Sequence, residues 1–399
     1  MKKTIAALLI IGSLAVFSNA AKADSTLDEH LGDKRGESNA PAAQGIYSKP
    51  FWKKVGRGTY LGGYADFEYR NRQDAKQKFE VVRMVPFIYA DVAPGIRFAS
   101  EIEFEHGGAT EENTGDAAVE FAFLDYDLLG ENLGLRAGIL LNPLGKFNLI
   151  HDSPINDLND RPMVDKTILP TTLSEPGAGF FGTSYLDPVK LDYQIYVTQG
   201  FNGGATGKSF IDTSNGIRSA RSAVNGAGDN NESLSYSGRL GVSPRLGTEI
   251  GFSFHTGNWD NAGENNLRIL ALDWAFQWRN LEFLGEYGNA AIGRNATTDV
   301  SVPGNMEGYY LQANAHFLQD AVRPGSVFTG VLRWDHQDLD LSNETSTNTD
   351  NRKQRLTFGL NFRPIEQTVF KLDYQINYED SAATRVSNNA WILGFATYF

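Results

Sequence analysis

Apolar and polar side chains alternate with a period of two along most of this chain, from about Tyr60 to the C-terminus. The cleanest example is the segment from 370 to 377, which reads FKLDYQIN. Consecutive side chains of a β-strand point to opposite faces, so the pattern indicates strands with one apolar and one polar face. Counting such segments predicts an all-β fold of about sixteen strands. The predicted strands are 58–70, 78–92, 95–107, 117–128, 134–142, 179–187, 189–199, 233–243, 247–257, 266–277, 281–289, 307–318, 327–337, 353–363, 368–378 and 389–399.

The connections between these segments alternate in length. Tight turns such as Ala93–Gly95 and Arg279–Asn280 alternate with long polar stretches such as Gly200–Glu232. Short turns at one rim and long loops at the other are typical of antiparallel transmembrane β-barrels. A soluble β-sandwich is the other fold considered, but the charged face of the strands is too long and too consistent to form a core.

The N-terminus has the three parts of a secretory signal. Lys2 and Lys3 precede an apolar run, Ile5–Phe17, and the sequence Ala21–Ala23 reads AKA. This pattern predicts a signal peptide over 1–23 that is cleaved after Ala23, and the apolar run is too short for a membrane anchor. Loss of three lysines leaves 33 basic and 48 acidic side chains, a net charge of −15. Such a charge argues against nucleic acid as a partner.

The remaining chain divides into a polar segment, 24–55, and the barrel, 56–399. The first is expected to be a flexible periplasmic segment. The chain has no cysteine, so an exported protein of this kind depends on packing and backbone pairing instead of disulfides. About sixteen strands enclose an aqueous channel, whereas about eight are filled by side chains. The predicted location is the outer membrane, with membrane lipid around the barrel.

One long segment, Asn142–Gly179, interrupts the regular spacing and contains five of the 14 prolines. A loop of this length in a compact domain is usually functional or disordered. Its apolar residues, which include Phe147, Leu149 and Ile155, need a wall to pack on, so we expect the loop to fold into the barrel and narrow it. The candidate constriction residues are Lys146, His151, Asp152, Asp157, Asp160, Arg161, Asp165 and Lys166.

The polar faces of the strands supply a mixed set of charges for the lumen. One interpretation is a solvated wall with ion pairs worth well under about 1 kcal/mol each. The other is a transverse field that sorts ions or orients dipolar solutes. The net charge and the acidic stripe on the third strand favour cations, and the arginines oppose that preference. The candidate wall residues are Arg83, Glu101, Glu103, Glu105, Arg136, Arg239, Glu282, Glu286, Arg333 and Lys371.

Motifs of catalysis and of cofactor binding were also considered. Gly203–Ser209 ends like a phosphate-binding loop, but Asn202 occupies the first glycine position and no strand-then-helix pattern surrounds it. The sequence contains neither G-x-S-x-G nor H-E-x-x-H. We therefore predict that the protein is not an enzyme, and we predict no cofactor and no metal.

Three short stretches resemble one family of bacterial outer-membrane proteins. They are Arg97–His106, Gly138–Gly145 and Ile168–Thr172, which read RFASEIEFEH, GILLNPLG and ILPTT. They are similar to stretches of a porin family related to the phosphate-selective porins O and P. The resemblance implies a sixteen-stranded, trimeric diffusion channel with an inward loop. The arginine ladder and lysine cluster of the phosphate-selective members are not evident, so no phosphate-binding residue is carried over.

The C-terminal strand ends on Tyr398 and Phe399. An aromatic C-terminus resembles the signal that the barrel-insertion machinery reads, so that machinery is a predicted partner through Phe399. The predicted function is a porin for passive diffusion of small hydrophilic solutes or ions. The alternative is a surface-interaction or envelope-structural barrel without significant transport, acting through Gly200–Glu232 and Gln337–Asn351.

Overall fold

The computed structural model describes residues 53–107, 115–205, 208–221, 231–295, 301–342, 351–379 and 387–399. The predicted signal peptide, 1–23, and all but the last three residues of the predicted periplasmic segment, 24–55, lie outside these ranges. Both therefore stay predictions. Within the ranges, Lys53–Lys54 forms a two-residue strand that pairs with Tyr60 and Leu61.

Sixteen antiparallel strands form one closed barrel. The sheet runs in chain order, and it closes because the seventh strand pairs with the eighth and the last with the first. Closure leaves no unpaired strand edge in the barrel. A barrel in a membrane needs this, because the hydrocarbon region has no water to bind free backbone groups. The strands are β1 Thr59–Arg72, β2 Lys78–Ala93, β3 Ile96–Glu105, β4 Asp116–Asp127, β5 Gly134–Leu141, β6 Ser174–Leu186, β7 Val189–Thr198, β8 Ser235–Arg245, β9 Thr248–Asn258, β10 Asn266–Trp278, β11 Leu281–Ile292, β12 Asn305–Phe317, β13 Val327–Asp338, β14 Arg352–Ile365, β15 Thr368–Glu379 and β16 Ala390–Tyr398.

Within the described ranges, helical structure lies in the connections between strands. The short helix α1, Met163–Thr167, lies in the long loop between β5 and β6, and 3-10 turns cover Phe147–Leu149 and Arg218–Ala220. None of the helices among the described residues has both the length and the hydropathy that crossing a membrane requires.

The predicted fold class is confirmed, since each of the sixteen predicted strands overlaps one observed strand. The predicted end of the long loop at Gly179 is wrong, because β6 already begins at Ser174. Gly177 and Gly179 look like loop residues in the sequence, but the sheet needs them. A side chain on Gly179 would place its first carbon 2.0 Å from the Ile195 carbonyl oxygen of β7.

The outer face of the barrel is apolar and carries rows of aromatic rings across neighbouring strands. Phe328, Phe362, Phe370 and Phe395 are direct cross-strand partners on β13 to β16, with ring centroids 4.6, 6.4 and 5.0 Å apart in turn. Such pairs stabilise adjacent strands. The apolar exterior is the surface that a barrel presents to hydrocarbon.

The inner face is less uniformly polar than the sequence suggests. Leu267, Ile269 and Ala271 of β10 point inward and are buried, whereas Arg268 between them is exposed. They belong to an apolar cluster that also contains Ile168 of the long loop. The loops therefore fill one side of the lumen with a hydrophobic core, and polar side chains are not required on that side.

Candidate constriction site

The loop between β5 and β6, residues 142–173, is called the constriction loop here. Its two ends are fastened together, because the Asn142 N–H donates to the Leu173 carbonyl at 2.9 Å. The Asn148 side chain donates to the carbonyls of Asn142 at 2.7 Å and Leu173 at 3.1 Å, and it accepts from the Leu173 N–H at 3.1 Å. All three residues are buried. This fastening fixes the direction in which the loop leaves the barrel wall.

The first part of the loop lies against β9 and β11. Lys146 forms an ion pair of 2.9 Å with Glu249 on β9. The Phe147 N–H donates to the Glu286 carboxylate on β11 at 2.6 Å. The Lys146 pair is partly exposed, so water screens it, whereas the bond to Glu286 is buried.

The middle of the loop is fastened to the opposite side of the barrel. His151 Nε2 lies 2.5 Å from the Glu120 carboxylate on β4, and its Nδ1 lies 2.9 Å from the Asn148 carbonyl. The Tyr398 hydroxyl on β16 donates to Asp152 at 3.0 Å. His151 and Asp152 are almost fully buried, so both act as anchors of the loop.

The second half of the loop returns along β12 to β15. Asp157 accepts hydrogen bonds from Asn314 at 2.7 Å and Arg363 at 3.2 Å. The Asn159 N–H donates to Asp373 at 2.7 Å. Together with the earlier contacts, the loop touches β1, β4, β9 and β11–β16, which places it inside the barrel as the sequence predicts.

Asp160 is the most heavily paired charge of the loop. It lies 3.0 Å from Arg70, 3.4 Å from Arg355 and 3.5 Å from Lys166. Burial by itself would raise the pKa of Asp160, but the positive charges of Lys166, Arg70 and Arg355 hold it well below its usual value. Asp160 is therefore ionised, and it forms ion pairs with cationic side chains from β1, β14 and α1.

A second loop also enters the lumen, and the sequence analysis did not place it there. Arg218 and Arg221, from the connection between β7 and β8, donate to the carbonyls of Thr171 and Thr172, the latter at 2.8 Å. Arg161 of the constriction loop donates to the same Thr171 carbonyl at 3.3 Å. Three guanidinium groups thus surround one peptide segment.

Acidic residues of the wall face this arginine group. Glu103 and Glu105 lie on β3, where Arg83 of β2 pairs with them at 2.9 and 3.5 Å. Burial lowers the pKa of Arg218 to about 10 and the charge of Arg221 adds to this effect, while Glu105 and Glu103 oppose it. The arginine group and the acidic wall are therefore within electrostatic range of each other.

Beside this region, near the long-loop rim, lies a cavity of about 470 Å³. It is surrounded by five cationic side chains and two carboxylates, so its lining has a positive balance. The positive potential of this lining would attract small anionic solutes. The charged lining residues are Arg70, Arg72, Lys76, Lys78, Lys166, Glu80 and Asp160.

Three solved structures share this architecture. OmpF of Salmonella typhi, in complex with daunomycin, has a TM-score of 0.58 and 10% identity, covering 88% of this chain and 100% of that one. The anion-selective porin of Comamonas acidovorans has a TM-score of 0.58 and 11% identity, covering 86% of this chain and 99% of that one. The outer-membrane channel DcaP of Acinetobacter baumannii has a TM-score of 0.55 and 13% identity, covering 87% of this chain and 99% of that one.

The fold is the porin fold. At these identities the likeness is one of fold alone. No family model matches the chain. An uncharacterized protein of Aquifex aeolicus (strain VF5) is 28% identical over 366 residues, covering 85% of this chain and 79% of its own length. The narrower relation to the phosphate-selective porins stays a prediction.

The candidate wall residues all lie on the inner face of this porin fold. Eight of the ten are buried, and Glu105 and Glu282 are half-buried. Several are held in local pairs. Arg136 pairs with Asp125 at 2.7 Å and lies over the Phe123 ring at 4.0 Å. Arg239 is bound by Asp273. Lys371 donates to the Ser153 carbonyl at 2.7 Å and so supports the loop.

The candidate loop residues also include both partly exposed and buried side chains. Lys146, Asp157, Asp160, Arg161 and Lys166 are partly exposed within the lumen. His151, Asp152 and Asp165 are buried. Of the apolar loop residues, Phe147, Leu149, Leu158, Ile168 and Leu169 pack as expected, whereas Ile155 is 42% exposed.

Sequence reasoning did not find Arg218, Arg221 or Glu120. The two arginines lie three residues apart in the stretch RSAR, and that spacing is the single local signal that could have drawn attention to them. Their placement depends on the docking of their loop, since the Ile217 N–H donates to the Thr167 carbonyl at 2.7 Å. No pattern within 200–232 reveals that contact.

Proposed function

We propose that this protein is an outer-membrane porin, a water-filled channel for the passive diffusion of small hydrophilic solutes or ions. A closed barrel of sixteen strands supports this, because a barrel of that size encloses an aqueous lumen. The constriction loop narrows this lumen. Among the described residues no group of three or more His, Asp or Glu side chains is arranged to hold a metal ion.

The observation that carries the proposal is the charge arrangement beside the constriction loop. Arg161, Arg218 and Arg221 interact electrostatically with Glu103 or Glu105, and Asp160 and Lys166 belong to the lining of the cationic cavity. Taking several charges out of water is costly unless they are closely paired. A group of charges of both signs inside a barrel, of which all but Glu103 are partly exposed, is best explained by a water-filled path along them, with solutes sorted by their charge and dipole.

The same proposal includes the surroundings of the barrel. The exposed apolar outer face, with residues such as Leu332, Leu360 and Phe370, suits membrane lipid. A homotrimer is proposed from the resemblance, and a solved OmpT structure from Vibrio cholerae with this fold is described as a trimer form. Export through the inner membrane and removal of residues 1–23 belong to the proposal as well.

One observation weighs against the alternative of a surface-interaction barrel. The described part of the loop from Gly200 to Glu232 does not extend outward as a free binding surface. Ile211, Ile217 and Ala220 are fully buried in the apolar cluster of the lumen. This part of the loop therefore contributes to the interior of the barrel.

Single-channel recording in a planar lipid bilayer tests the proposed function. Purified protein that migrates as a folded, heat-modifiable barrel should insert and give stable, ohmic conductance steps. Folded protein that inserts but never conducts would contradict the proposal and favour the structural alternative. Liposome swelling with small uncharged sugars gives an independent measure of solute passage.

A further inference from the structure

Helix α1 of the constriction loop carries a carboxyl group into the apolar interior. Asp165 is 0% exposed and lies in hydrogen-bonding contact with Glu286 of β11, which is 2% exposed. Two ionised carboxylates cannot donate a hydrogen bond to each other. Such a contact therefore requires a proton between them, as in other carboxyl dyads that share one site.

The hydrogen bonds around the pair support the same assignment. Glu286 Oε1 accepts from the Phe147 N–H at 2.6 Å, whereas its Oε2 has no donor among the described residues. Neither oxygen of Asp165 has a donor there either. Burying acceptors without donors costs free energy, and a shared proton satisfies one oxygen of each group.

Among the residues that the structure describes, the cations that face the pair are already bound by other carboxylates. The facing cations are Arg239 on β8 and Arg333 on β13, and a neighbouring carboxylate, Asp273 or Asp335, already binds each of them. Apolar side chains of the lumen cluster, including Leu169 and Met306, surround the pair. The facing titratable groups are Arg239 on β8, Asp273 on β10, Tyr310 on β12, and Arg333 and Asp335 on β13.

We infer that Asp165 and Glu286 share one proton and that this protonated pair positions helix α1 against the barrel wall, so that the width of the channel depends on pH. The inference rests on the proposed function for its readout. Asp165 and Glu286 are positioning residues, since both are buried, whereas Arg161 and Lys166 of the same loop are partly exposed.

The direction of the pH dependence follows from linkage. Burial, and then the charge of Glu286, raise the pKa of Asp165 well above its usual value. The docked loop therefore binds the proton more tightly than an undocked loop, in which Asp165 meets water and has an ordinary pKa. Raising the pH removes the proton, leaves two carboxylates in contact and favours the undocked loop.

The test compares conductance at about pH 6 and about pH 9 in wild type and in Asp165→Asn, which keeps a donor but cannot ionise. We expect the wild-type conductance to rise by about twofold or more on going to the alkaline side, with more frequent current transitions, and the variant to show no such rise. Asp157→Asn is the matched control. Asp157 accepts hydrogen bonds from Asn314 and Arg363, so its contacts need no shared proton. This variant should therefore keep the alkaline response.

A disulfide tether gives a second readout. The chain has no cysteine, and a Cβ built on Gly308 of β12 lies 3.3 Å from the Val164 Cβ of α1. Oxidised protein with Val164→Cys and Gly308→Cys should lose the alkaline rise, and reductant should restore it.

Three results would overturn the inference in a protein that conducts: a wild-type conductance independent of pH, an equal response in Asp165→Asn, or a response that follows cation concentration at fixed pH. The last would mean that a cation occupies the pair instead of a proton. Absence of any conductance would contradict the proposed function instead, so the two failures are distinguishable.

Discussion

Replacing Asn148 with alanine should release the constriction loop from the barrel wall without unfolding the barrel. The Asn148 side chain makes three hydrogen bonds at the base of the loop and is 1% exposed. After Asn148→Ala the Asn142 carbonyl still accepts from the Leu144 N–H at 2.8 Å, and the Leu173 carbonyl still accepts from the Asn142 N–H at 2.9 Å. The buried Leu173 N–H loses the one partner that the structure gives it.

The size of the effect follows from these contacts. A buried N–H without a partner costs about 1–3 kcal/mol, and the two other lost bonds add about 1 kcal/mol, so the docked loop should be destabilised by about 2–4 kcal/mol. Since about 1.4 kcal/mol corresponds to a factor of ten, the undocked population should rise by about thirtyfold to several hundredfold.

Limited trypsin digestion of folded protein in detergent micelles measures this population, because the Lys166–Thr167 bond becomes cleavable when the loop leaves the wall. Asn156→Ala is the control, since Asn156 donates a single bond of 2.9 Å to the His151 carbonyl. Single-channel current noise should rise in parallel with cleavage. If Asn148→Ala is cleaved no faster than Asn156→Ala while the barrel remains heat-modifiable, the hydrogen bonds at the base do not hold the loop.

Four further variants test the charge arrangement and the packing of the loop. Arg218→Gln with Arg221→Gln should shift the zero-current potential in a salt gradient towards cations, since a unit charge about 7 Å away in water is worth about 0.6 kcal/mol. Glu103→Gln should shift it towards anions, and no shift in either case would place these groups outside the ion path. Gly394→Ala should loosen the loop, because the new methyl group would fall 1.7 Å from the Asn159 side-chain oxygen. Adding Asn159→Ala should relieve that clash. If the double variant is as sensitive to trypsin as Gly394→Ala alone, the packing argument is contradicted.

The difference between anchoring and path-lining charges has a physical basis in burial. His151 and Asp152 are enclosed and each has a close partner, so their hydrogen bonds hold the loop and cannot reach a passing solute. Arg161 and Lys166 are partly exposed and lie beside the cavity or the arginine group. Substituting the first kind should change gating, and substituting the second kind should change selectivity.

The sequence by itself determined the barrel. Strand alternation depends on local geometry, because side chains two residues apart share a face whatever the rest of the chain does. Turn lengths are also local, so the order and number of strands could be predicted from the sequence. The apolar content of the constriction loop, with residues such as Ile168 and Leu169, correctly predicted that the loop packs on a wall.

The tertiary structure alone decided which charges face each other. Arg218 and Arg221 reach Thr171 and Thr172 from a loop more than 40 positions away, and Asp165 meets Glu286 across more than 100. Such contacts depend on where two loops dock inside a closed sheet, and no periodicity records that. The sequence therefore predicted a channel-sized barrel with an inward loop, and the fold determined which side chains anchor the loop and which stay partly exposed in the lumen.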